Sequence, residues 1–371
     1  MEVGKKKVLF FICASHPNAG GGHFYSLKAL MEALNEVVNA KVVNIGLTKV
    51  STLPQQKLLG FVPIFKYSIF SHFHKLLKIA KEFQPDVLHA FDERSLYVAK
   101  CISLFINYRV PIVYTKCGGV NGGRFIPAAD ASVFFSAENV KHYLTHRRFK
   151  KAYYLIPNRS LPVQQDIERQ DKLKNLLGHF AGVTLLRISR FNRYYELTFQ
   201  QSLQLLKDFS SAGFQGRLIL LGKVQDEDFF QELKESITSS NILFVTDEHF
   251  TRNASELLGI ADVVIGTGRG VMEAASLSKP VYCPNGASVR PVLLKEERIN
   301  ALLNKNFSER YLEKDAKIEI STDGVESEKA FTELFDIRNV VGQYESIYND
   351  TRKERGGIVD FIVSSLWFFR P

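Results

Sequence analysis

Two stretches of this chain combine residue types that bind charged, polar ligands. Arg187-Ile188-Ser189-Arg190-Phe191-Asn192-Arg193 follows one apolar run, and Gly266-Thr267-Gly268-Arg269-Gly270 follows another. Guanidinium groups in the first would suit a pyrophosphate, which they can grip bidentately. Glycines in the second let backbone come close to a ligand. The helix expected at 271–277 would offer its first N–H groups to a phosphate. Glu273 falls in that first turn, where a carboxylate can accept two hydrogen bonds from a vicinal diol such as a ribose. The expected donor-side set is therefore Arg190, Arg193, Gly266, Thr267, Gly268, Arg269, Gly270 and Glu273. Lys223, after Leu220-Leu221-Gly222, is a lesser cation of the same kind. The plainer alternatives are solvated surface arginines and a first-turn acid favoured by the helix dipole.

The first half of the chain has its own candidates. Gly20-Gly21-Gly22-His23 follows the apolar run 8–14 and precedes a helical pattern. Its spacing is neither GxGxxG nor a Walker loop, so a tight turn and an anion-approaching loop both remain open. His89, Asp92 and Glu93 in HAFDER end another run, as do Lys116-Cys117-Gly118-Gly119. His89 is a candidate catalytic residue on its strand-end position alone. No HExxH or cysteine-nucleophile signature is present and no acidic metal cluster stands out at these strand ends, so neither a metal nor a resident cofactor is expected.

These loops need elements to hold them. Runs at 8–14, 41–45, 86–91, 111–115, 131–136 and 153–156 read as buried parallel strands. The pattern restarts with strands at 183–188, 217–221, 242–245, 263–265 and 280–283, and helices at 197–209, 229–237, 254–260 and 271–277. Such alternation predicts two doubly wound, Rossmann-like parallel-sheet α/β domains facing a cleft. The expected divisions are 1–165, 166–345 and an amphipathic tail at 346–371, with the boundary placed in the polar stretch from Gln164 to Asp171. In open parallel sheets, ligands sit beyond the carboxyl ends of the strands, which is where the loops above fall.

Composition narrows the class. A chain of 371 residues, 45% hydrophobic and 23% charged, has enough apolar surface for two cores. Its 4 cysteines form no CxxC pair, which fits a reducing, cytoplasmic setting better than a disulfide scaffold. The net charge of +9 is spread along the chain without a nucleic-acid motif, so phosphorylated substrates or an anionic membrane are the expected partners and nucleic acid is not. No apolar run approaches the ~20 residues needed to span a bilayer.

Taken together, the motifs GGGH, PDVLHAFD, PIVYTKCGG, LIPNRS, RISRF, RLILLG and ADVVIGTGRGVMEAASLSKPVYCP resemble the retaining nucleotide-sugar glycosyltransferases of the GT-B fold, the large family numbered four. The resemblance spans nearly the whole chain, and its last segment is the most specific. It implies that Glu273 binds the donor ribose, that Arg190 neutralises the diphosphate, and that Gly20, Gly21 and Gly22 approach the diphosphate or acceptor from the first domain. The implied substrates are a nucleoside-diphosphate sugar, most often a uridine diphosphate sugar, and a saccharide or lipid-linked acceptor in surface polysaccharide or glycolipid assembly. Catalysis would rest on stabilising the leaving diphosphate. The sequence departs from the family at three places. The first of two paired glutamates falls on Ile265, a lysine five positions after the arginine falls on Tyr195 with Arg193 as its substitute, and a histidine falls on Cys117. Those departures motivate a second reading, a catalytically degenerate binder of a partner transferase or glycan. A third is a nucleotide-sugar epimerase, with Asp92 or Glu93 as its acid.

Two segments have membrane-facing character. Within 65–81, Phe65, Ile69, Phe70, Phe73, Leu76, Leu77 and Ala80 share one helical face and lysines flank it. Within 358–369, Ile358, Ile362, Ser365, Leu366 and Phe369 form a stripe behind Arg352, Lys353 and Arg355. Either would place the protein peripherally on the inner face of a membrane; the alternatives are a core-facing helix and a tail packed on the first domain.

Overall fold

The computed structural model describes residues 4–15, 21–63, 69–118, 126–145 and 152–352, without the side chains of 69–71. The chain divides into two compact units, Met1–Asn158 with Ile337–Pro371, and Arg159–Asp336.

Unit 1 is built on a seven-stranded, all-parallel sheet in the order β3-β2-β1-β4-β5-β6-β7. Its strands are β1 (Lys6–Ala14), β2 (Val38–Gly46), β3 (Leu58–Pro63), β4 (Val87–Ala90), β5 (Ile112–Lys116), β6 (Ala131–Phe134) and β7 (Ala152–Leu155). The central strand β1 is buried on both faces, with Val8, Leu9, Phe10, Phe11 and Ile12 wholly enclosed. That is why it reads as an unbroken apolar run rather than an alternating one. Helices α1 (Gly22–Ala33), α2 (Ile69–Phe83), α3 (Glu93–Phe105) and α4 (Ala137–Leu144) connect the strands. The last described helix, α12 (Val341–Asp350), also belongs to this unit, burying Tyr344, Ile347 and Tyr348.

Unit 2 holds a six-stranded sheet in the order β10-β9-β8-β11-β12-β13. Strands β8 (Val183–Ile188), β9 (Gly216–Leu221), β10 (Ile242–Val245), β11 (Val263–Ile265) and β12 (Val281–Cys283) are parallel, and β13 (Val292–Leu293) closes the edge antiparallel to β12. Helices α5 (Ile167–Leu177), α6 (Glu196–Ser211), α7 (Glu227–Glu235), α8 (Glu248–Thr251), α9 (Arg269–Ala275), α10 (Glu296–Asn304) and α11 (Val325–Ala330) pack around it. The two faces of the sheet carry separate cores, one around Leu186, Ile219 and Met272 and the other around Phe191, Phe199 and Phe209.

The expected pair of doubly wound α/β domains is present. Three local expectations differ. The polar stretch read as a boundary is largely helix α5, which begins at an Asp166 cap accepting from the Arg169 amide at 3.0 Å. The short strands β3 and β13 were not anticipated; β3 is half-buried at the edge of its sheet and β13 has only two residues. Helix α2 turns its apolar face inward, with Leu76 and Ala80 wholly buried and Phe73 packed on the same core. Among the described residues of α2, the stripe is therefore the core-facing one of the two alternatives, not a membrane-facing one. The stripe at 358–369 lies outside the described residues, as do Phe65 and Gly20.

Candidate functional site

Each sheet has one place where consecutive connections leave in opposite directions, and ligands of such folds gather there. In unit 2 this switch point lies between β8 and β11, whose ends sit side by side with Arg187 opposite Ile265. The loops beyond it carry Ser189 to Tyr195 and Gly266 to Gly270. Sequence reasoning therefore brought together two segments that the topology also brings together.

The glycine loop is rigid for reasons internal to the chain. Gly268 has φ +52° and ψ −122°, a conformation only glycine holds without strain. At Gly266 a Cβ would crowd the Val271 backbone at 3.0 to 3.1 Å. Gly270 meets nothing within 4 Å of such an atom, so the fold does not itself require glycine there. The loop's amides are mostly spoken for. Gly268 N–H donates to the Phe307 carbonyl at 3.1 Å, Gly270 to Thr267 at 3.0 Å and Val271 to Gly268 at 3.3 Å. The expectation that this helix start offers its N–H groups to a phosphate is not met at those positions, and α9 has only 7 residues. Thr267 is half-buried beside them.

Glu273 sits in the second turn of α9, not the first, because the helix starts at Arg269. Its Oε1 accepts from Arg269 Nε at 2.6 Å, with the two side chains 14% and 15% exposed. An arginine four residues before a glutamate is the less favourable order on a helix, so helix stability alone does not account for the pair. Arg269 and Glu273 together present a cation and a carboxylate at one rim.

Across the switch point, Arg190 is exposed and its Nη2 donates to the Tyr195 hydroxyl at 2.8 Å, the guanidinium 5.7 Å from that ring's centre. Arg193 turns away. Its Nη2 donates to both Glu232 oxygens at 2.7 Å and its guanidinium lies over Phe229, so α7 holds it. The expectation that Arg193 stands in for a lysine beside Arg190 is corrected on that ground. Lys223 is exposed, and its carbonyl accepts from the Phe191 amide at 2.9 Å. Gly222 passes so close beneath that a Cβ would overlap the Ser189 carbonyl, which ties the two loops together.

Arg187 opens the candidate arginine segment but lies outside the expected donor-side set. Its side chain is wholly buried, with Nη1 donating to the Ile265 carbonyl at 3.2 Å and Nη2 to Thr198 Oγ1 at 3.1 Å and Ser189 Oγ at 3.4 Å. Its Nε has no partner, and no carboxylate of a described residue lies within 4 Å. Burial pushes the guanidinium down to about 10, with Tyr195 and Glu309 pulling it back. It still carries its charge at neutral pH.

In unit 1 the switch point lies between β1 and β4. Gly21 caps α1 with φ −71°, Gly22 opens it and His23 follows half-buried, its ring 4.2 Å from that of Phe24. Among the described residues, a Cβ on Gly21 or Gly22 would meet nothing closer than 3.8 Å. His89 is placed otherwise than expected. It is 0% exposed, its Nδ1 bonded to Tyr348 Oη at 2.9 Å and Nε2 to Thr115 Oγ1 at 2.8 Å. One nitrogen donates and the other accepts, and burial pushes the ring down to about 3. With both nitrogens used and no open face, His89 is a core histidine rather than a group that reaches substrate.

The acids are likewise engaged. Asp92 caps α3 by accepting from the Ser95 amide at 2.7 Å and from the Cys13 amide at 2.6 Å. Burial lifts its carboxyl to about 6, against those hydrogen bonds. Glu93 accepts from Lys116 at 2.9 Å and Tyr143 at 3.1 Å. The Cys117 thiol donates to the Phe91 carbonyl at 3.4 Å and burial raises it well above its usual range. Among the described residues no cluster of His, Cys, Asp or Glu is grouped to hold a metal ion.

The fold is shared with solved glycosyltransferases. HepE of Anabaena, solved with UDP and glucose, superposes with a TM-score of 0.64 at 16% identity, over 93% of this chain and 99% of that one. A glycosyltransferase of Rickettsia africae gives 0.63 at 14% identity, over 94% and 98%. Sucrose-phosphate synthase of Thermosynechococcus elongatus gives 0.57 at 14% identity, over 93% and 98%. No protein-family model matches the chain, and no curated protein does. At these identities the likeness is one of fold. The chain has the two-domain, parallel-sheet GT-B architecture and is similar over nearly its whole described length to proteins of that architecture.

Proposed function

We propose that this protein is a glycosyltransferase that moves a sugar from a nucleoside-diphosphate sugar, of uridine type, to a saccharide or lipid-linked acceptor. The observation that carries the reading is the convergence of Arg190, Arg269 and Glu273 on one switch point in unit 2. Diphosphate chemistry needs cations placed in advance where leaving-group charge develops, and a nucleoside needs a carboxylate for its diol. The shared fold with HepE, a protein solved with UDP-glucose, supports the same substrate class. Retention of anomeric configuration and a role in surface polysaccharide or glycolipid assembly follow the family resemblance of the motifs. Leaving-group stabilisation of this kind requires no resident cofactor. Among the described residues no helix is long and apolar enough to cross a membrane; attachment at an inner membrane face would rest on 358–369.

A nucleotide-binding but degenerate protein is the second reading, favoured by Arg190 resting on Tyr195 where the family has a lysine and by Arg193 being held on α7. No observation favours an epimerase, since the carboxylates of Asp92 and Glu93 are both committed to internal partners.

The test is thermal stabilisation by UDP, GDP, ADP and their sugars, because a ligand that binds the native state raises its melting temperature by mass action. One nucleotide is expected to stabilise the wild type by about 2–3 kcal/mol at a hundredfold excess over its dissociation constant. Glu273→Ala is expected to lose that shift while melting within a few degrees of wild type. Undiminished binding by Glu273→Ala would remove the ribose assignment, and no shift with any nucleotide sinks the proposal. Product analysis with the stabilising sugar nucleotide then separates transfer from binding alone.

A further inference from the structure

The Gly268 amide is committed to Phe307 and those of Gly270 and Val271 to their own turn, so a diphosphate at this switch point depends the more on side chains for positive charge. One such charge is hidden beneath the loops. We propose that Arg187 is a positioning residue for the diphosphate. Its buried guanidinium supplies the positive field under the site and roots the two loops that carry Arg190 and Gly266.

The argument begins with what Arg187 does not have. It is wholly enclosed, its Nε is without a partner, and no carboxylate of a described residue lies within salt-bridge distance. A buried ion without a counter-ion destabilises a fold, and an apolar residue of the same size is the more stable choice. The three neutral acceptors around Arg187 do not offset that cost, since each is a single hydrogen bond of 3.1 to 3.4 Å, long for a charged donor. The fold by itself therefore gives no reason for the charge.

Location supplies one. Arg187 holds the carbonyl of Ile265, the residue before Gly266, and the hydroxyl of Ser189, the residue before Arg190. A third bond goes to Thr198 in the first turn of α6. Its charge thus lies at the root of both loops at the switch point, in a medium where electrostatic attraction is weakly screened. The acidic groups near enough to affect it are Tyr195, in the turn that follows Arg190, and Glu309, and Arg190 stands three residues along. An anion above the loops is the missing counter-charge. The chemistry that fits is the diphosphate of the donor, so the inference rests on the proposed function.

Two variants test this with the full-length chain, uridine diphosphate and uridine as probes. Arg187→Met removes the charge and keeps the length. It is expected to melt at or above the wild-type temperature and to lose about tenfold or more in UDP affinity, with uridine affinity unchanged. Arg187→Lys keeps a charge that burial can strip. It is expected to bind UDP near wild-type strength at about pH 6 and to weaken progressively toward about pH 8.5 as the buried ammonium deprotonates, a range in which the wild-type guanidinium, titrating at about 10, stays charged and its binding flat. UDP affinity within twofold of wild type in Arg187→Met, or equal losses for UDP and uridine, overturns the proposal. So does an Arg187→Lys profile that follows the wild type across pH. If neither variant folds, Arg187 is a structural residue and the proposal is likewise overturned. Failure of the wild type to bind UDP at all condemns the functional reading instead, which keeps the two failures apart.

Discussion

At the scale of single residues, the site separates charges that face solvent from charges that face one another. Arg190 is exposed at the end of the central strand and leans on Tyr195, whereas Arg193, three residues on, is committed to Glu232. Nothing in the composition of RISRFNR distinguishes them. The distinction comes from Asn192, whose side chain caps the short turn at Arg193–Tyr195 by accepting from the Tyr194 amide at 3.0 Å. That turn sends Arg193 toward α7. Arg190→Ala should therefore lower turnover by ~10²-fold while changing UDP affinity only a few-fold, because its charge matters most when the leaving diphosphate gains charge. Steady-state kinetics beside calorimetric UDP binding reads this directly. Unchanged kcat would take Arg190 out of the mechanism, and equal losses in kcat and affinity would make it a ground-state anchor. Arg187 shows the reverse case: an arginine of the same segment whose proposed role depends on its being buried, which no local spacing encodes.

At the scale of elements, the strands of both sheets could be read because strands buried on both faces are continuous apolar runs. The edge strands β3 and β13 could not, since half-buried or two-residue edges carry no such signal. The end of β4 shows how position and direction part company. His89 lies near that strand's carboxyl end, as expected, yet its ring faces the sheet surface covered by α12, more than two hundred residues away, where Tyr348 meets it. Sequence spacing places a strand end but does not say which helix returns to cover it. A pH signature follows. The folded ring titrates near about 3 and the unfolded one near 6.5, so below 6.5 the unfolded chain binds a proton that the folded chain refuses. Stability from this group is fully present above 6.5 and is lost as pH falls toward 3, at about 1.4 kcal/mol per pH unit. Asp92, lifted to about 6 by burial, works in the opposite sense between 3.8 and 6. It is shared by wild type and variant and cancels in their difference. His89→Gln keeps hydrogen-bonding capacity without titrating, so the stability difference between wild type and His89→Gln should shrink with that slope below pH 6.5. Denaturant melts at several pH values measure it, and a difference constant from pH 7 to pH 4 would refute the buried neutral histidine.

At the scale of the whole molecule, the two units are unequal in how they use the chain. Unit 2 is a single continuous segment, Arg159–Asp336, with its own two cores. Unit 1 is assembled from Met1–Asn158 and the returning segment that starts at Ile337. A tail packed back on the first domain was one expectation for 346–371, but the start of the return at Ile337 is not marked in the sequence, because α12 is short and its buried residues Tyr344, Ile347 and Tyr348 are spaced like any amphipathic helix. Its contribution is large: Lys6 Nζ donates to the Tyr348 carbonyl at 2.8 Å, and Ile337, Val340, Tyr344, Ile347 and Tyr348 are all buried. Each large apolar side chain withdrawn from water is worth about 1.5–3 kcal/mol, and a domain's net stability is only about 5–15 kcal/mol. A fragment of residues 1–158 should accordingly fail to melt cooperatively, and adding 337–352 by a linker should restore the transition. A fragment of 159–336 should fold alone. Because Arg187, Arg190, Arg269 and Glu273 all lie within it, it should also be stabilised by UDP and lose that shift in Glu273→Ala. Circular dichroism melts with and without UDP decide both points. A fragment 159–336 that folds but ignores UDP, beside a full chain that binds it, would mean that unit 1 supplies part of the nucleotide site. In that case Gly21 and Gly22, where no described atom would come closer than 3.8 Å to an added Cβ, become the first positions to substitute.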